Sequence, residues 1–292
     1  MNNKRAINGA LPSVLAIHDL SCFGRCALTV ILPTLSAMGV QAVPIPTALL
    51  STHTGGFEGF HFNDLTTDME RIADHLHDIG VECDAIYTGF LGSKAQINTV
   101  SRIIDIFSED SRGNRIPILV DPVMGDDGRL YSTYNNEMML GMRRLCERAD
   151  VITPNLTEAC FLTDTPYVDT RNMSEGEARE FADGLCDRLM RFGAKKIVIT
   201  GLHYGGDMVG TYGCDVDSGA AFICKARHIK RSYPGTGDLF ASVLLGKLVS
   251  GDGFESAVAC ASDFTRRAIE YTSQFDTPIR NGVAFEALLK EL

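Results

Sequence analysis

The fold class is decided by the segment from residue 85 to residue 121, which has the sequence AIYTGFLGSKAQINTVSRIIDIFSEDSRGNRIPILVD. It begins with a short apolar run at 85–88, continues with a helical pattern over 95–107 and a polar loop at 108–115, and ends with a second apolar run at 117–120. Such runs predict a strand, a helix and a second strand. A unit of this kind folds as a right-handed crossover between parallel strands.

Alternating strands and helices continue on both sides of this segment. Further strands are predicted at residues 14–17, 40–46, 150–153, 196–200, 208–212 and 220–225. Further helices are predicted at residues 63–79, 134–147, 174–192, 237–250 and 254–272, with another beginning at 155 and a short one ending the chain. Pro44 and Pro46 in the second strand are typical of a sheet edge, because proline has no N–H to donate. The sequence therefore predicts an α/β fold, with a three-layer, doubly wound, mostly parallel sheet, helices on both faces and an antiparallel edge.

The composition limits the partners of the chain. Its 292 residues include 27 basic and 37 acidic side chains, which gives a formal net charge of −10. This balance argues against nucleic acid, because phosphate backbones are met by a basic face. No apolar run approaches the roughly 18 residues of a membrane-spanning helix, so no membrane partner is expected. No polar linker divides the chain, and we expect one domain over residues 1–292.

The nine cysteines are an odd number in a chain too long to depend on a disulfide scaffold. They lie mostly in apolar or helical segments, as small core residues do. Cys22 and Cys26 are four residues apart, but no second pair of Cys or His completes a zinc site. These features predict reduced thiols and a cytoplasmic location.

A glycine-rich turn, Pro234-Gly235-Thr236-Gly237-Asp238, comes immediately before a predicted helix. It would direct backbone N–H groups at an anion from the positive end of the helix dipole, which suits a phosphate undergoing transfer. Asp238 could then accept a proton from a hydroxyl. The alternative is an ordinary acidic residue in the first turn of a helix. The turn is neither a dinucleotide fingerprint, since Phe240 occupies the third glycine position, nor a Walker A loop.

Acidic residues also follow the strand at 117–120. Asp121, Asp126 and Asp127 place three carboxylates within seven residues. This arrangement suits a pocket that holds Mg²⁺, which prefers one or two carboxylates with phosphate oxygens and water. The alternative is a solvated acidic turn, which fits Asp126 and Asp127 better than it fits Asp121.

Three more polar groups follow predicted strands. Asn155 and Glu158 match a helix N-cap with its capping-box partner, and the functional alternative places them near a metal or phosphates. The loop at 51–56, with the sequence STHTGG, is either an ordinary turn or a hydrogen-bonding loop for a small polar heterocycle. His18, Asp19 and Ser21 follow the first predicted strand and could face the same pocket.

Together these loops resemble the vitamin-kinase branch of the ribokinase superfamily, most closely the pyridoxal/pyridoxamine kinases. Six motifs carry the resemblance, in order along the chain. They are STHTG at 51–55, YTGF at 87–90, DPVMGD at 121–126, TPN with Glu158 at 153–158, VIT at 198–200 and GTGD at 235–238.

The resemblance implies a ribokinase-like fold and ATP-dependent phosphorylation of the hydroxymethyl group of a vitamin B6 vitamer. It implies that Asp238 is the base, that Gly235, Thr236 and Gly237 form the anion hole, and that Asp121 and Glu158 organise Mg²⁺. It implies ATP contacts from Asp121, Asp126, Tyr131, Asn155, Glu158 and Thr200. It places His53, Thr54, Ser21, Phe90 and Pro234 around the pyridine ring, with Asp19 as a further candidate. A homodimer is implied as well, and a monovalent-cation requirement stays open.

Two departures from the pyridoxal kinase pattern concern the acceptor. Those enzymes usually have Ser directly after the first strand, where this chain has His18-Asp19-Leu20-Ser21, and they often have Tyr where this chain has Phe90. The related hydroxymethylpyrimidine kinases of thiamine synthesis are therefore the alternative. A non-catalytic vitamin-binding protein is a third hypothesis, against which Asp238 and both glycines of the turn argue.

Overall fold

The computed structural model of the chain describes residues 11–131 and 134–292. Its strands are β1 (Ser13–Phe23), β2 (Gln41–Thr52), β3 (Phe62–Asp64), β4 (Ala85–Thr88), β5 (Ile118–Val120), β6 (Gly125–Asp126), β7 (Arg129–Leu130), β8 (Val151–Ile152), β9 (Lys196–His203), β10 (Met208–Asp215) and β11 (Ala220–Arg227). Its α-helices are α1 (Leu28–Ala37), α2 (Thr66–Asp78), α3 (Lys94–Phe107), α4 (Asn136–Cys146), α5 (Leu156–Leu162), α6 (Glu175–Leu189), α7 (Thr236–Val249) and α8 (Phe254–Ser273). Short 3₁₀ turns include Met190–Phe192, Ile279–Asn281 and Glu286–Glu291.

Nine of the strands form one sheet in the order β11-β10-β9-β8-β5-β4-β1-β2-β3. The central six pair in parallel, whereas β10 and β11 at one edge and β3 at the other run antiparallel. The chain moves outward from β1 to β2 in one direction and from β4 to β9 in the other, so the strand order reverses between β1 and β4. The predicted doubly wound sheet with an antiparallel edge is confirmed, and the reversal marks where ligands bind in such sheets.

The alternation of side chains along β1 separates two cores. Leu15 and Ile17 pack on one face of the sheet with apolar residues of α2 to α6. Val14 and Ala16 pack on the other face with apolar residues of α1, α7 and α8. Because successive strand residues point to opposite faces and both faces are covered here, the buried first half of β1 has an unbroken apolar sequence at 14–17. The predicted three-layer arrangement is confirmed.

Strands β1 and β2 are longer than predicted. The predicted strand at 14–17 continues to Phe23, so Asp19 and Ser21 lie within it. Asp19 is at a shift in register between His18 and Leu20, and Ser21 follows that shift. The predicted strand at 40–46 continues to Thr52. The two strands pair with each other along almost their whole length, and this pairing extends them through polar residues that local pattern assigns to loops.

Two other predictions are corrected at this end of the sheet. Helix α1 was not predicted, because it is apolar on most sides and contains Pro33. Helix α2 begins at Thr66 instead of residue 63, because Phe62–Asp64 forms β3 against residues 48–50 of β2. The predicted edge position therefore holds only for the first half of β2, where Pro44 and Pro46 lie.

The β6–β7 hairpin and the 3₁₀ turns Thr170–Asn172 and Ile279–Asn281 were not predicted, and the remaining elements lie within a few residues of their predicted bounds. The capping box of Ser174 and Glu177 is present at the start of α6, and the following 3₁₀ turn ends at Gly193 with a φ of 91°. All nine cysteines are free thiols. Within the described ranges, no helix has the length and apolar character needed to cross a membrane.

Candidate active site

The first turn of α7 forms the centre of the site. Its N-cap, Gly235, has a φ of 82°, and a Cβ at that position would overlap the carbonyl oxygen of Arg25. No side chain caps this turn, so the N–H groups of Thr236, Gly237 and Asp238 have no intrahelical partner. A Cβ on Gly237 would lie 4.0 Å from Oδ2 of Asp121. The structure thus brings the glycine turn and the first acidic residue after β5 together.

Asp238 is oriented by the backbone of another loop. The amide of Ala27 donates a 2.8 Å hydrogen bond to Oδ2 of Asp238. Burial raises the pKa of Asp238, an effect that the Ala27 amide and the nearby His53 partly offset. Since Oδ2 is held by the amide, Oδ1 is the oxygen presented to a hydroxyl, and the raised pKa favours uptake of its proton.

A second acidic group lies close to Asp238. Asp19 is only 6% exposed, and the hydroxyl of Ser21 donates to its Oδ2 over 3.0 Å. Burial and the charge of Asp238 raise the pKa of Asp19 to about 7, which the Ser21 hydrogen bond partly opposes. Burial, and then the charges of Asp19 and Asp238, raise the pKa of the Cys26 thiol. These groups form an acidic pocket at the carboxyl end of β1.

Asp121 and Glu158 form a buried pair of carboxyl groups behind the glycine turn. Burial and the charge of Asp238 raise the pKa of Asp121 to about 8. Burial and the charge of Asp121 raise the pKa of Glu158 well above its ordinary value. The amides of Met124 and Asn155 donate to Oε1 and Oε2 of Glu158, over 3.1 Å and 2.8 Å.

This pair fits a divalent cation that completes its coordination elsewhere. Among the described residues no group of three or more His, Cys, Asp or Glu side chains could hold a metal on its own. Magnesium needs only one or two protein carboxylates when phosphate oxygens and water supply the rest. A cation would also offset the burial and the charge repulsion that together raise both pKa values.

The capping box predicted for Asn155 and Glu158 is present at the start of α5. Oδ1 of Asn155 accepts from the Glu158 amide over 2.9 Å, and its Nδ2 donates to the Gly125 carbonyl over 2.8 Å. Residue 155 also forms a parallel bridge to Thr200, whose amide donates to Pro154. Asn155 therefore joins β6 and α5 through its side chain and β9 through its backbone.

A hairpin of β6 and β7 borders the buried pair. Its turn has Asp127 and Gly128 at φ values of 47° and 73°, and the Gly128 amide donates to Oγ1 of Thr157 over 2.9 Å. Asp126 is exposed on this hairpin. Tyr131 is 41% exposed, and burial and then the charges of Glu158 and Asp126 raise its pKa. Asp126 and Tyr131 thus flank the same site.

The remaining sequence-predicted residues are spread over three loops. His53 is held by the Gly55 amide at Nδ1 and by the Arg280 carbonyl at Nε2. Thr54 is exposed beside it. Phe90 packs partly buried against the core after β4, and the Pro234 carbonyl accepts from Val283.

Sequence reasoning did not predict three sets of contacts at the site. Ala27 has a φ of 47°, and nothing in its local sequence indicates that its amide binds Asp238. His18 and Tyr87 are fully buried in ring contact, and neither the His18 nitrogens nor the Tyr87 hydroxyl has a hydrogen-bond partner among the described residues. The third set is made by the C-terminal stretch around Arg280, where the Asn281-Gly282 pair indicates a turn but not its contacts.

The chain is similar to known proteins in both sequence and fold. A family model described as phosphomethylpyrimidine kinase matches residues 22–281. A Bacteroides thetaiotaomicron protein, described as a candidate phosphomethylpyrimidine kinase and crystallised with pyridoxal, is 38% identical, with a TM-score of 0.86 over 96% of this chain and 95% of its own. Pyridoxal kinase from Lactobacillus plantarum is 32% identical, with a TM-score of 0.84 over 97% of this chain and 96% of its own.

Curated sequences related to the chain carry the names of two kinds of kinase. The bifunctional thiamine biosynthesis protein ThiED of Geobacter sulfurreducens is 28% identical over 88% of this chain, which spans about half (49%) of that protein's length. Relatives named pyridoxal kinase and relatives named hydroxymethylpyrimidine/phosphomethylpyrimidine kinase match at similar identities, between 26% and 28%.

Proposed function

Because the chain belongs to the phosphomethylpyrimidine kinase family, we propose that it transfers the terminal phosphoryl group of ATP to the hydroxymethyl group of a vitamin B6 vitamer (pyridoxal, pyridoxamine or pyridoxine). The observation that carries the proposal is the arrangement of Asp238. Its carboxylate is oriented by the Ala27 amide, at the uncapped start of α7 and beside Asp121. A proton acceptor, an anion cradle and a cation site are the parts that phosphoryl transfer needs.

In the proposed reaction Asp238 accepts the proton of the acceptor hydroxyl. The hydroxyl oxygen forms a bond to the terminal phosphorus, and the bond from that phosphorus to the bridging oxygen of ADP breaks. The N–H groups of Thr236 and Gly237 at the start of α7, after the turn at Gly235, stabilise the charge on the transferring group. The products are the phosphate ester, ADP and one proton, which leaves Asp238.

Mg²⁺ would be held by Asp121 and Glu158, directly or through water, and would neutralise charge on the phosphates. Asp126, Asn155, Thr200 and Tyr131 lie around the same region and are proposed as contacts of ATP. Glu158 already accepts two backbone hydrogen bonds, so Asp121 is the better candidate for direct coordination.

The acceptor would lie in the pocket at the carboxyl ends of β1, β2 and β4. Asp19 and Ser21 supply polar atoms there, Thr54 supplies a hydroxyl, and Phe90 and Pro234 supply apolar surface. Support for a B6 vitamer comes from the pyridoxal in the crystals of the Bacteroides relative and from the similarity to pyridoxal kinases.

Hydroxymethylpyrimidine is the alternative acceptor. The family model and several relatives carry that name, and both ligands present a hydroxymethyl group on an aromatic nitrogen ring. A non-catalytic vitamin-binding protein is disfavoured because Asp238 and the complete glycine turn are present.

A substrate panel tests the proposal. ADP release would be measured with ATP, Mg²⁺ and each of pyridoxal, pyridoxamine, pyridoxine and hydroxymethylpyrimidine. We expect the highest kcat/KM with a B6 vitamer. Preference for the pyrimidine would establish the alternative, and no turnover with any of the four would reject the kinase proposal.

Three further properties are proposed from the resemblance. The chain would act as one kinase domain over 1–292, a range that extends beyond the described residues. It would act in the cytoplasm and form a homodimer. Light scattering that gives the mass of one chain would reject the dimer.

A further inference from the structure

The stretch of residues 279–286, called the C-terminal segment below, touches three of the loops that surround the site. The Arg25 amide donates to the Asn281 carbonyl over 3.2 Å. Nε2 of His53 lies 2.7 Å from the Arg280 carbonyl oxygen. The Val283 amide donates to the Pro234 carbonyl over 3.0 Å. One short segment therefore holds the loop after β1, the loop after β2 and the glycine turn before α7.

The loop after β1 passes between two glycines. The Arg25 carbonyl lies against Gly235 on one side and Gly282 on the other, and a Cβ on Gly282 would lie 2.6 Å from the Arg25 oxygen. Both glycines have positive φ values, 82° and 81°. Since Ala27 follows Arg25 by two residues and binds Asp238, movement of the segment would be transmitted to the base.

The imidazole of His53 has no free nitrogen for a ligand in this arrangement. The Gly55 amide donates to Nδ1 over 3.1 Å, so the proton of the neutral ring lies on Nε2 and is donated to the Arg280 carbonyl. His53 is 9% exposed, and a Cβ on Gly24 would lie 2.5 Å from its Cδ2. The ring is thus enclosed by the loop after β1 and by the C-terminal segment.

The C-terminal segment also contacts the loop after β2 through the side chain of Arg280. The Arg280 guanidinium lies 5.0 Å from the centroid of the Phe57 ring and donates to the Gly56 carbonyl over 3.3 Å. Arg25 forms an ion pair with Glu286 at 2.5 Å. Contacts between residues more than 220 positions apart therefore join the C-terminal segment to the loops after β1 and β2.

We propose that the C-terminal segment positions the acceptor loops and the Asp238 base, and that His53 is a positioning residue that latches this segment instead of a ligand of the acceptor ring. This inference rests on the proposed kinase function for its kinetic consequences and replaces the ring contact that the resemblance implies for His53. Its structural part, the bond from His53 to Arg280, can be tested without turnover.

Two substitutions of His53 distinguish its bond to the Arg280 carbonyl from its bond to the Gly55 amide. In His53→Gln the amide nitrogen can take the place of Nε2 and donate to the Arg280 carbonyl. In His53→Asn the shorter side chain can accept from Gly55 but cannot reach Arg280. We expect His53→Asn to raise KM for the acceptor and lower kcat, each at least 10-fold, with KM for ATP changed less than 2-fold. We expect His53→Gln to stay within about 3-fold of the original enzyme. Equal losses in the two variants would overturn the latch.

The ring nitrogens of His53 give a readout that does not depend on activity. In ¹⁵N-histidine-labelled protein we expect the Nε2-protonated tautomer for His53, unchanged when pyridoxal is added to saturation. Loss of that tautomer, or a large shift of Nε2 on vitamer addition, would show that His53 binds the acceptor. This result stands even if the substrate panel rejects the kinase proposal.

Gly282→Ala, with Gly251→Ala as its matched control, tests the segment itself. Gly251 has a φ of 92° with nothing within 4 Å of an added Cβ, so it shares the backbone strain without the clash at Arg25. We expect both variants to fold and to lose similar thermal stability. Only Gly282→Ala should lose kcat, at least 10-fold, and shift the His53 Nε2 resonance. Equal kcat values in the two variants would overturn the positioning role.

Discussion

The amide of Ala27 donates to Oδ2 of Asp238 across 2.8 Å, which ties the loop after β1 to the first turn of α7. Ala27 holds this position at a φ of 47°, a conformation that alanine rarely adopts. The donor is a backbone group, so its identity does not depend on which side chain occupies position 27. The orientation of the proposed base is therefore a property of the path of this loop.

Asp238→Asn removes the proton acceptor while keeping the size of the side chain. We expect kcat to fall by about 10²–10⁴-fold, the usual contribution of a general base. KM for ATP should change little, because the N–H groups of the turn remain. Steady-state kinetics with the preferred acceptor measures both values.

Asp217→Asn is the matched control for this substitution. Asp217 is exposed in the turn between β10 and β11, beside the start of β9 and so at the end of the sheet opposite the glycine turn. We expect kcat to stay unchanged in this variant. If Asp238→Asn kept more than about a tenth of the activity, Asp238 would not be the base.

Asp121→Asn should lower the activity and raise the stability of the protein. Burial and the charge of Asp238 raise the pKa of Asp121 to about 8, so its ionised form opposes folding in the absence of a cation. At pH 9 without nucleotide, we expect the free energy of unfolding of the variant to be about 1–3 kcal/mol higher than that of the original protein. Its activity should fall at least 10-fold, and Mg²⁺ with ADP should no longer raise its melting temperature as in the original protein. Denaturant titration and thermal melts check these points, and a destabilised variant at pH 9 would contradict them.

Titration of Asp19 should contribute to the pH dependence of the free energy of unfolding. Its folded-state pKa of about 7 lies above the ordinary 3.8, so the folded state binds the proton more tightly between those values. Stability should therefore fall as the pH rises across that interval, by about 1.4 kcal/mol per pH unit for this one group. Asp19→Asn should remove this contribution, giving a flatter profile between pH 4 and 7 in chemical denaturation. Parallel profiles for the two proteins would show that Asp19 does not titrate in this way.

Asn155→Ala should weaken both the fold and nucleotide binding. It removes the N-cap of α5, which costs about 1 kcal/mol, and also the bond to the Gly125 carbonyl. Ser174→Ala removes the equivalent cap from α6. We expect both variants to lose stability, Asn155→Ala the more because it also loses the bond to Gly125, whereas only Asn155→Ala raises KM for ATP. An unchanged KM for ATP in Asn155→Ala would limit this residue to capping.

Local sequence predicted the parts of the fold that depend on local physics. The apolar run at 117–120 ends directly in Asp121, and both capping boxes lie where their spacing placed them. The turn at Gly235 before α7 was also recognisable, because glycine and an immediate helix start occur together. These features need only residues within a few positions of one another.

Contacts between distant residues account for what was not predicted. Strand β1 continues through Asp19 and Ser21 because β2 pairs with it, and Ala27 acquires its role from Asp238, 211 residues later. The partners of His53 include Arg280, 227 residues away. No periodicity or motif indicates which distant residues will be partners. The sequence therefore could not show which polar residues of the loop after β2 face a ligand and which face the protein.

Pro44 and Pro46 have a consequence for how the folded protein meets other chains. They lie two apart in the half of β2 that β3 does not cover, so their nitrogen atoms face the same side of the strand. Without N–H groups, that side lacks two of the donors that a strand from another molecule would need to join the sheet. We expect this margin of the sheet to resist edge-to-edge aggregation when the protein is concentrated, and Pro44→Val with Pro46→Val to remove that protection.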